Sequence, residues 1–228
     1  MSGFFRSSIG QKFLMSITGL FLILFLAVHL TANAFLLFGS DSYNLASHFM
    51  DTNPLVQIMQ PILAIGFIVH ILYSSILTIQ NMKARPEKYA RVDQANSSNW
   101  SSRNMFVLGS LVFIFLVMHL INFFWKMKFT GSELLTEVTI DGQKVDNAYA
   151  LVTGLFLDAD FGLLYSLFYI LGALFLGLHL QHGFWSAFQT LGLSNHLWRR
   201  RLEIIGNIYA LIIACGFAII PLYLLIFK

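Results

Sequence analysis

Five of the seven histidines in this 228-residue chain stand inside strongly apolar stretches: His29, His70, His119, His179 and His182. An imidazole in hydrocarbon is costly and needs a partner to hold it there. Three kinds of chemistry suit it: a hydrogen bond to a neighbouring helix, a proton relay, or ligation of a metal through a ring nitrogen. His48 and His196 fall between the apolar stretches, where a solvated or interfacial ring is ordinary.

The elements that must position these rings are membrane spans. The chain is 57% hydrophobic and only 11% charged, less than half the charge of an ordinary soluble domain, which is about 25%. A spanning helix needs ~20 mostly apolar residues. Five stretches qualify: Phe13–Phe38, Leu55–Gln80, Met105–Trp125, Phe161–Phe188 and Leu202–Phe227. The first is too long for the apolar core of a signal peptide and lacks a small-residue cleavage pattern after it, so it reads as a span. Gly19, Gly66, Gly109, Gly172 and Gly177 lie within the spans, as expected where helices approach closely or something bulky sits between them. The expectation is an all-α integral membrane protein, residues 1–228 forming one membrane domain. The single cysteine, Cys215, excludes a disulfide framework and a thiolate metal site.

Ten of the fourteen Lys and Arg residues, among them Arg6, Lys12, Lys83, Arg103 and Arg199–Arg201, fall on one side of these spans, and eight of the eleven acids on the other. The positive-inside bias then predicts a cytoplasmic N-terminus and an external C-terminus. Of the connections, Gly39–Pro54 and Asn81–Asn104 read as moderate loops and Lys126–Asp160 as a long one. Within the last, EVTIDGQKV alternates around Asp141–Gly142, a hairpin signal.

With this topology the helical rise assigns depths. His29 and His119, late in the outward-running spans one and three, share an outer level. His70 and His179, late in the inward-running spans two and four, share an inner one. Each lies roughly 4–8 Å from the bilayer centre at 1.5 Å per residue. Two imidazoles from different helices at equal depth are what bis-axial ligation of a haem iron requires. The first four spans are therefore expected to form a haem-binding bundle. A histidine-lined metal or proton transporter and a purely structural anchor are the alternatives. The spans offer no Asp or Glu in their interior to assist metal transport; Glu203 stands at an inner edge.

One turn beyond each candidate ligand stands a polar residue: Asn33, Ser74, Asn122 and His182. Positions i+3 and i+4 share a helix face, so these four are candidates to solvate haem propionates or fix ligand orientation. His182 is turned roughly 60° from His179 around the helix and displaced by ~4.5 Å, which is poor placement for ligating the same iron.

Four stretches carry a family resemblance: SITGLFLILFLAVHLTAN (16–33), NMKARPEKYA (81–90), SRNMFVLGSLVFIFLVMHLINF (102–123) and GLHLQHGFWSAFQTLGL (177–193). Together they resemble the single-chain, five-helix, two-haem cytochrome b subunit of succinate dehydrogenases and quinol:fumarate reductases. The resemblance covers nearly the whole chain. It implies two haem b groups, the inner one of higher potential on His70 and His179 and the outer one of lower potential on His29 and His119. It also implies a quinone, usually menaquinone, and a flavoprotein and an iron–sulfur subunit docked on the cytoplasmic face of a bacterial inner membrane. The dicarboxylate chemistry would lie on the flavoprotein, with this multi-pass chain conducting electrons within a complex that can dimerise. No nucleic-acid partner is expected. Some family members carry a glutamate just before the span-four ligand; Leu176, Gly177 and Leu178 occupy those positions here. If the quinone binds near the outer haem, as the resemblance suggests, Gln57 and His48 are its polar candidates. Arg199–Arg201 would help to dock the iron–sulfur subunit.

Overall fold

A computed structural model of the chain describes residues 3, 7–84, 100–193 and 195–228. Arg6, and residues 85–99 with Arg85, Lys88 and Arg91 of the basic end, lie outside the described residues. Of the described residues 84% are helical, and five helices among them are long and apolar enough to cross a membrane. This is an all-α, multi-pass membrane architecture. The long helices are α1 (Ser8–Ala34), α3 (Pro54–Ala84), α5 (Met105–His119, continuing as a π-helix over Leu120–Thr130), α7 (Gly162–Thr190) and α8 (His196–Phe227). Between them lie the short helices α2 (Ser40–Thr52), α4 (Trp100–Arg103) and α6 (Ala148–Phe156), and strands β1 (Glu137–Ile140) and β2 (Gln143–Asp146).

Local chemistry sets the element ends. The Ser7 hydroxyl accepts the Gly10 N–H at 3.1 Å to open α1, and Asn195 accepts the Trp198 N–H at 2.8 Å to open α8. Asn53 accepts from Leu55 N at 3.0 Å, and Pro54 takes the first position of α3, where its missing N–H costs nothing. Asp141 and Gly142 both have positive φ, 51° and 78°, in the two-residue turn of the hairpin, the backbone that such turns require.

All three stretches that read as loops are partly helical; Asn81–Asn104 holds the end of α3 and the short α4. Gly39, at φ 108°, ends the 3₁₀ turn that closes the first span, and Ser40 begins α2. The long connection holds the end of the π-helix, the hairpin and α6. These pieces form a cap at one end of the bundle. Asn44 of α2, buried to 2% exposure, donates to Asn147 Oδ1 at 3.2 Å and accepts the Tyr149 N–H at 2.8 Å. Lys128 pairs with Asp51. Replacing Asn44 with alanine strands a buried N–H, at a cost of about 1–3 kcal/mol. Lower thermal stability and faster proteolysis within 131–147 are expected, and unchanged values would contradict this role.

In the bundle, α7 packs most closely on α8. A Cβ at Gly177 would meet the Ala214 Cβ at 2.7 Å, so only glycine permits this approach. One apolar cluster (Ile23, Leu180, Phe184, Ala210, Ile213) ties α1, α7 and α8 together. A second (Leu36, Val152, Phe156, Tyr169, Ile220, Leu224) seats the cap on α7 and α8. By contrast α3 buries only Gly66 and Leu77, and α5 only Leu108. These two helices flank α1 and α7 and scarcely meet each other. The helices that carry His70, His29, His179 and His119 thus stand side by side in the order α3, α1, α7, α5.

Candidate functional site: two imidazole pairs in the bundle

The four rings stand as two pairs. His29 of α1 faces His119 of α5, with ring centroids 5.7 Å apart and planes at 89°. His70 of α3 faces His179 of α7, at 6.5 Å and 76°. Metal–imidazole bonds of ~2 Å on either side of one ion place two opposed rings roughly 6 Å apart between centroids. The two measured separations bracket that value.

The pairs lie at separate heights, and glycines mark the spacing. A Cβ at Gly19 would lie 3.4 Å from His70 Cε1, and one at Gly109 would lie 3.5 Å from His179 Cε1. Gly19 is therefore level with the His70–His179 pair on α1, and Gly109 is level with it on α5. Each glycine precedes the histidine of the other pair by ten residues, Gly19 to His29 and Gly109 to His119. Ten residues of helix span ~15 Å. Two helices thus report the same separation between the pairs.

The surroundings differ. His29 stacks on Phe25 at 5.1 Å and meets Phe217 at 5.6 Å. His119 contacts Phe115, Phe123 and Tyr169 at 5.9, 5.4 and 6.1 Å. The first pair is thus ringed by aromatics, whereas the second is backed by the two glycines. His70 Nδ1 lies 3.3 Å from the Met15 carbonyl and 3.5 Å from the Thr18 hydroxyl. A carbonyl only accepts, so Nδ1 carries the proton and Nε2 keeps its lone pair. This is the tautomer a metal-binding imidazole adopts when its second nitrogen is held by a backbone oxygen. The Nδ1 atoms of His119 and His179 are buried and have no hydrogen-bond partner among the described residues.

A haem suits these residues on three observations: the centroid spacing, the orphaned ring nitrogens and the glycine-backed cradle at the second pair. A bare metal ion suits them less. Among the described residues no three His, Cys, Asp or Glu side chains cluster as a metal site. Two neutral imidazoles alone leave a small hard or borderline ion under-coordinated.

The chain matches no family model, no curated protein and no solved structure. The reading of the site therefore rests on the residues and their geometry.

The polar residues one turn beyond each histidine separate. Asn33 donates to its own helix at the His29 carbonyl, 2.9 Å, and its amide nitrogen lies 3.5 Å from His29 Nδ1. Tyr43 of α2 donates to the Asn33 side-chain Oδ1 at 3.5 Å. Burial pushes the Tyr43 hydroxyl up to about 12, so it stays a donor. Asn122 is buried and donates to the Tyr169 hydroxyl at 3.1 Å, beside His119. Ser74 spends its hydroxyl on the Ile71 carbonyl at 2.9 Å, not on His70. His182 packs edge-on against Trp185 at 5.3 Å, and Arg199 lies over Trp185 at 5.0 Å while pairing with Glu203 at 3.0 Å. Of the two quinone candidates, Gln57 is exposed and donates to the Asp51 carbonyl at 2.8 Å, capping the end of α2. His48 is half-buried on α2, and its carbonyl accepts the Thr52 hydroxyl at 2.8 Å. Neither side chain is brought to the imidazole pairs by a recorded bond. The residues the spacing did not single out are Met15, Thr18 and Tyr169. Only the repeated ten-residue interval from glycine to histidine marks the site more fully in the sequence.

Proposed function

We propose that the chain is the haem-carrying, quinone-reactive membrane subunit of a succinate:quinone oxidoreductase or quinol:fumarate reductase. The observation that carries the proposal is the arrangement of His29 with His119 and His70 with His179, at ligation spacing and ~15 Å apart in height. Two bound haem b groups would supply one-electron carriers at two depths in the membrane. The chain's own residues would hold and orient them. His70 would present Nε2 because Met15 and Thr18 occupy its Nδ1 side. Phe25, Phe115, Phe123 and Phe217 would exclude water around the other pair, and Asn33 and Asn122 would offer amide groups near it.

The family resemblance and the charge distribution give the proposal its direction. Basic residues at the starts of α1 and α8 and the end of α3 support a cytoplasmic N-terminus and an external C-terminus in a bacterial inner membrane. Electrons would pass between an iron–sulfur partner at the basic end and a quinone, menaquinone by the resemblance, near the capped end. The flavoprotein partner would perform the succinate or fumarate chemistry.

Native membranes test this reading. Quinol-driven fumarate reduction or succinate-driven quinone reduction is expected to disappear when the gene for this chain is deleted and to return with the full-length chain. Undiminished activity in the deletion strain would sink the assignment.

A further inference from the structure

The three consecutive arginines at the start of α8 do different things. Arg199 is engaged inside, over Trp185 and paired with Glu203. Arg200 and Arg201 instead stand exposed beside Leu197 and Ile204, and no acidic residue is among these four. Arg201 lies over Trp198 at 5.4 Å, which holds the guanidinium at this height. Arg200 has no ion-pair partner among the described residues.

The spacing Leu197, Arg200, Arg201, Ile204 places all four on one helix face. The same face continues along α8 through Ile208, Leu211 and Ile219, each about half exposed or more. Two cations thus stand at the head of an exposed, mostly aliphatic face, which also carries Cys215 between Leu211 and Ile219. This is the polarity profile of a phospholipid: an anionic headgroup at the interface and acyl chain below it.

We propose that Arg200 and Arg201 form a binding site for the phosphate headgroup of an anionic phospholipid, with an acyl chain along the outer seam of α8. The proposal needs only that α8 crosses the membrane and does not depend on what the imidazole pairs hold. A soluble acidic partner would match the charge but not the aliphatic seam below it, which favours lipid as the occupant.

The test uses the full-length chain, delipidated in detergent and then offered phosphatidylglycerol or phosphatidylcholine, with retained lipid counted by native mass spectrometry. Phosphatidylglycerol is expected to be retained and phosphatidylcholine not. The Arg200→Gln/Arg201→Gln chain should bind phosphatidylglycerol roughly tenfold or more weakly, since both guanidinium contacts to the phosphate are lost. Lys12→Gln/Lys83→Gln, which removes the same charge at the same end, should bind as the unaltered chain does. Arg200→Lys/Arg201→Lys should keep most binding, which separates lost charge from a misfolded helix. Equal retention by the glutamine and unaltered chains would overturn the site, as would equal loss in the Lys12/Lys83 control. Full displacement by inorganic phosphate would also overturn it, because the acyl seam would then contribute nothing. So would a glutamine chain that keeps its lipid but no longer assembles with a protein partner.

Discussion

Replacing His179 with alanine is expected to remove one of the two proposed haems, and replacing His70 should remove the same one. Either change leaves a single imidazole at the glycine-backed pair. A single axial ligand would not maintain a low-spin six-coordinate state, and the group would be lost or become high-spin. The other pair stands ~15 Å away, so its spectrum should persist. His29→Ala and His119→Ala should form the complementary couple. The measurement is haem per chain with optical spectra of the purified variants. Each single change should halve the low-spin signal, the double change His70→Ala/His179→Ala should do no more, and His29→Ala/His70→Ala should abolish it. If His29 and His70 behaved as partners instead, the geometry of the pairs would have been misread.

The second large effect concerns Gly19 and Gly109. In both places an added Cβ would rest at ordinary contact distance, 3.4 and 3.5 Å, from the Cε1 of His70 and His179. Alanine should therefore be tolerated with a small change in potential. Leucine must push its further carbons into the volume of the ring or of whatever the ring holds, and over-packing of this kind costs about 1–3 kcal/mol even where side chains can yield. Here yielding means moving a ligand. Gly19→Leu and Gly109→Leu are expected to lose the haem proposed for His70 and His179 and to keep the other. Redox titration of the variant chains reads this directly. A leucine variant with both haems at unchanged potentials would show that the glycines do not form a cradle.

These two predictions also show what the amino-acid sequence made visible. The five spans are legible because hydrocarbon demands long, uncharged helices, and the bounds shift by at most six residues, under two turns, at the ends. The histidine levels are legible because a regular rise of 1.5 Å per residue converts position into depth. Asp141–Gly142 announces its hairpin because few residues accept positive φ twice in succession.

Other features depend on contacts that no local pattern encodes. The segment Ser40–Thr52 is rich in Ser, Asp and Asn and reads as a loop; it is helical where Asn44 is anchored across the cap to Asn147 and Tyr149. Ser74 shares a face with His70, yet a serine hydroxyl in an apolar helix finds its own backbone carbonyl first. Asn122 turns to Tyr169 within a π-helical stretch that begins one residue after His119, and π segments often accompany functional sites. His182, the second imidazole of GLHLQHGFW, leads away from the pair toward Trp185 and Arg199 at the basic end.

The central claim is that the two imidazole pairs are haem sites, and the reduced-minus-oxidised optical spectrum of the purified full-length chain, taken with its haem content, tests it most directly. The expected result is two low-spin b-type haems per chain, titrating at two distinct potentials. A chain that purifies folded and helical from haem-sufficient cells without any low-spin haem signal would contradict the account.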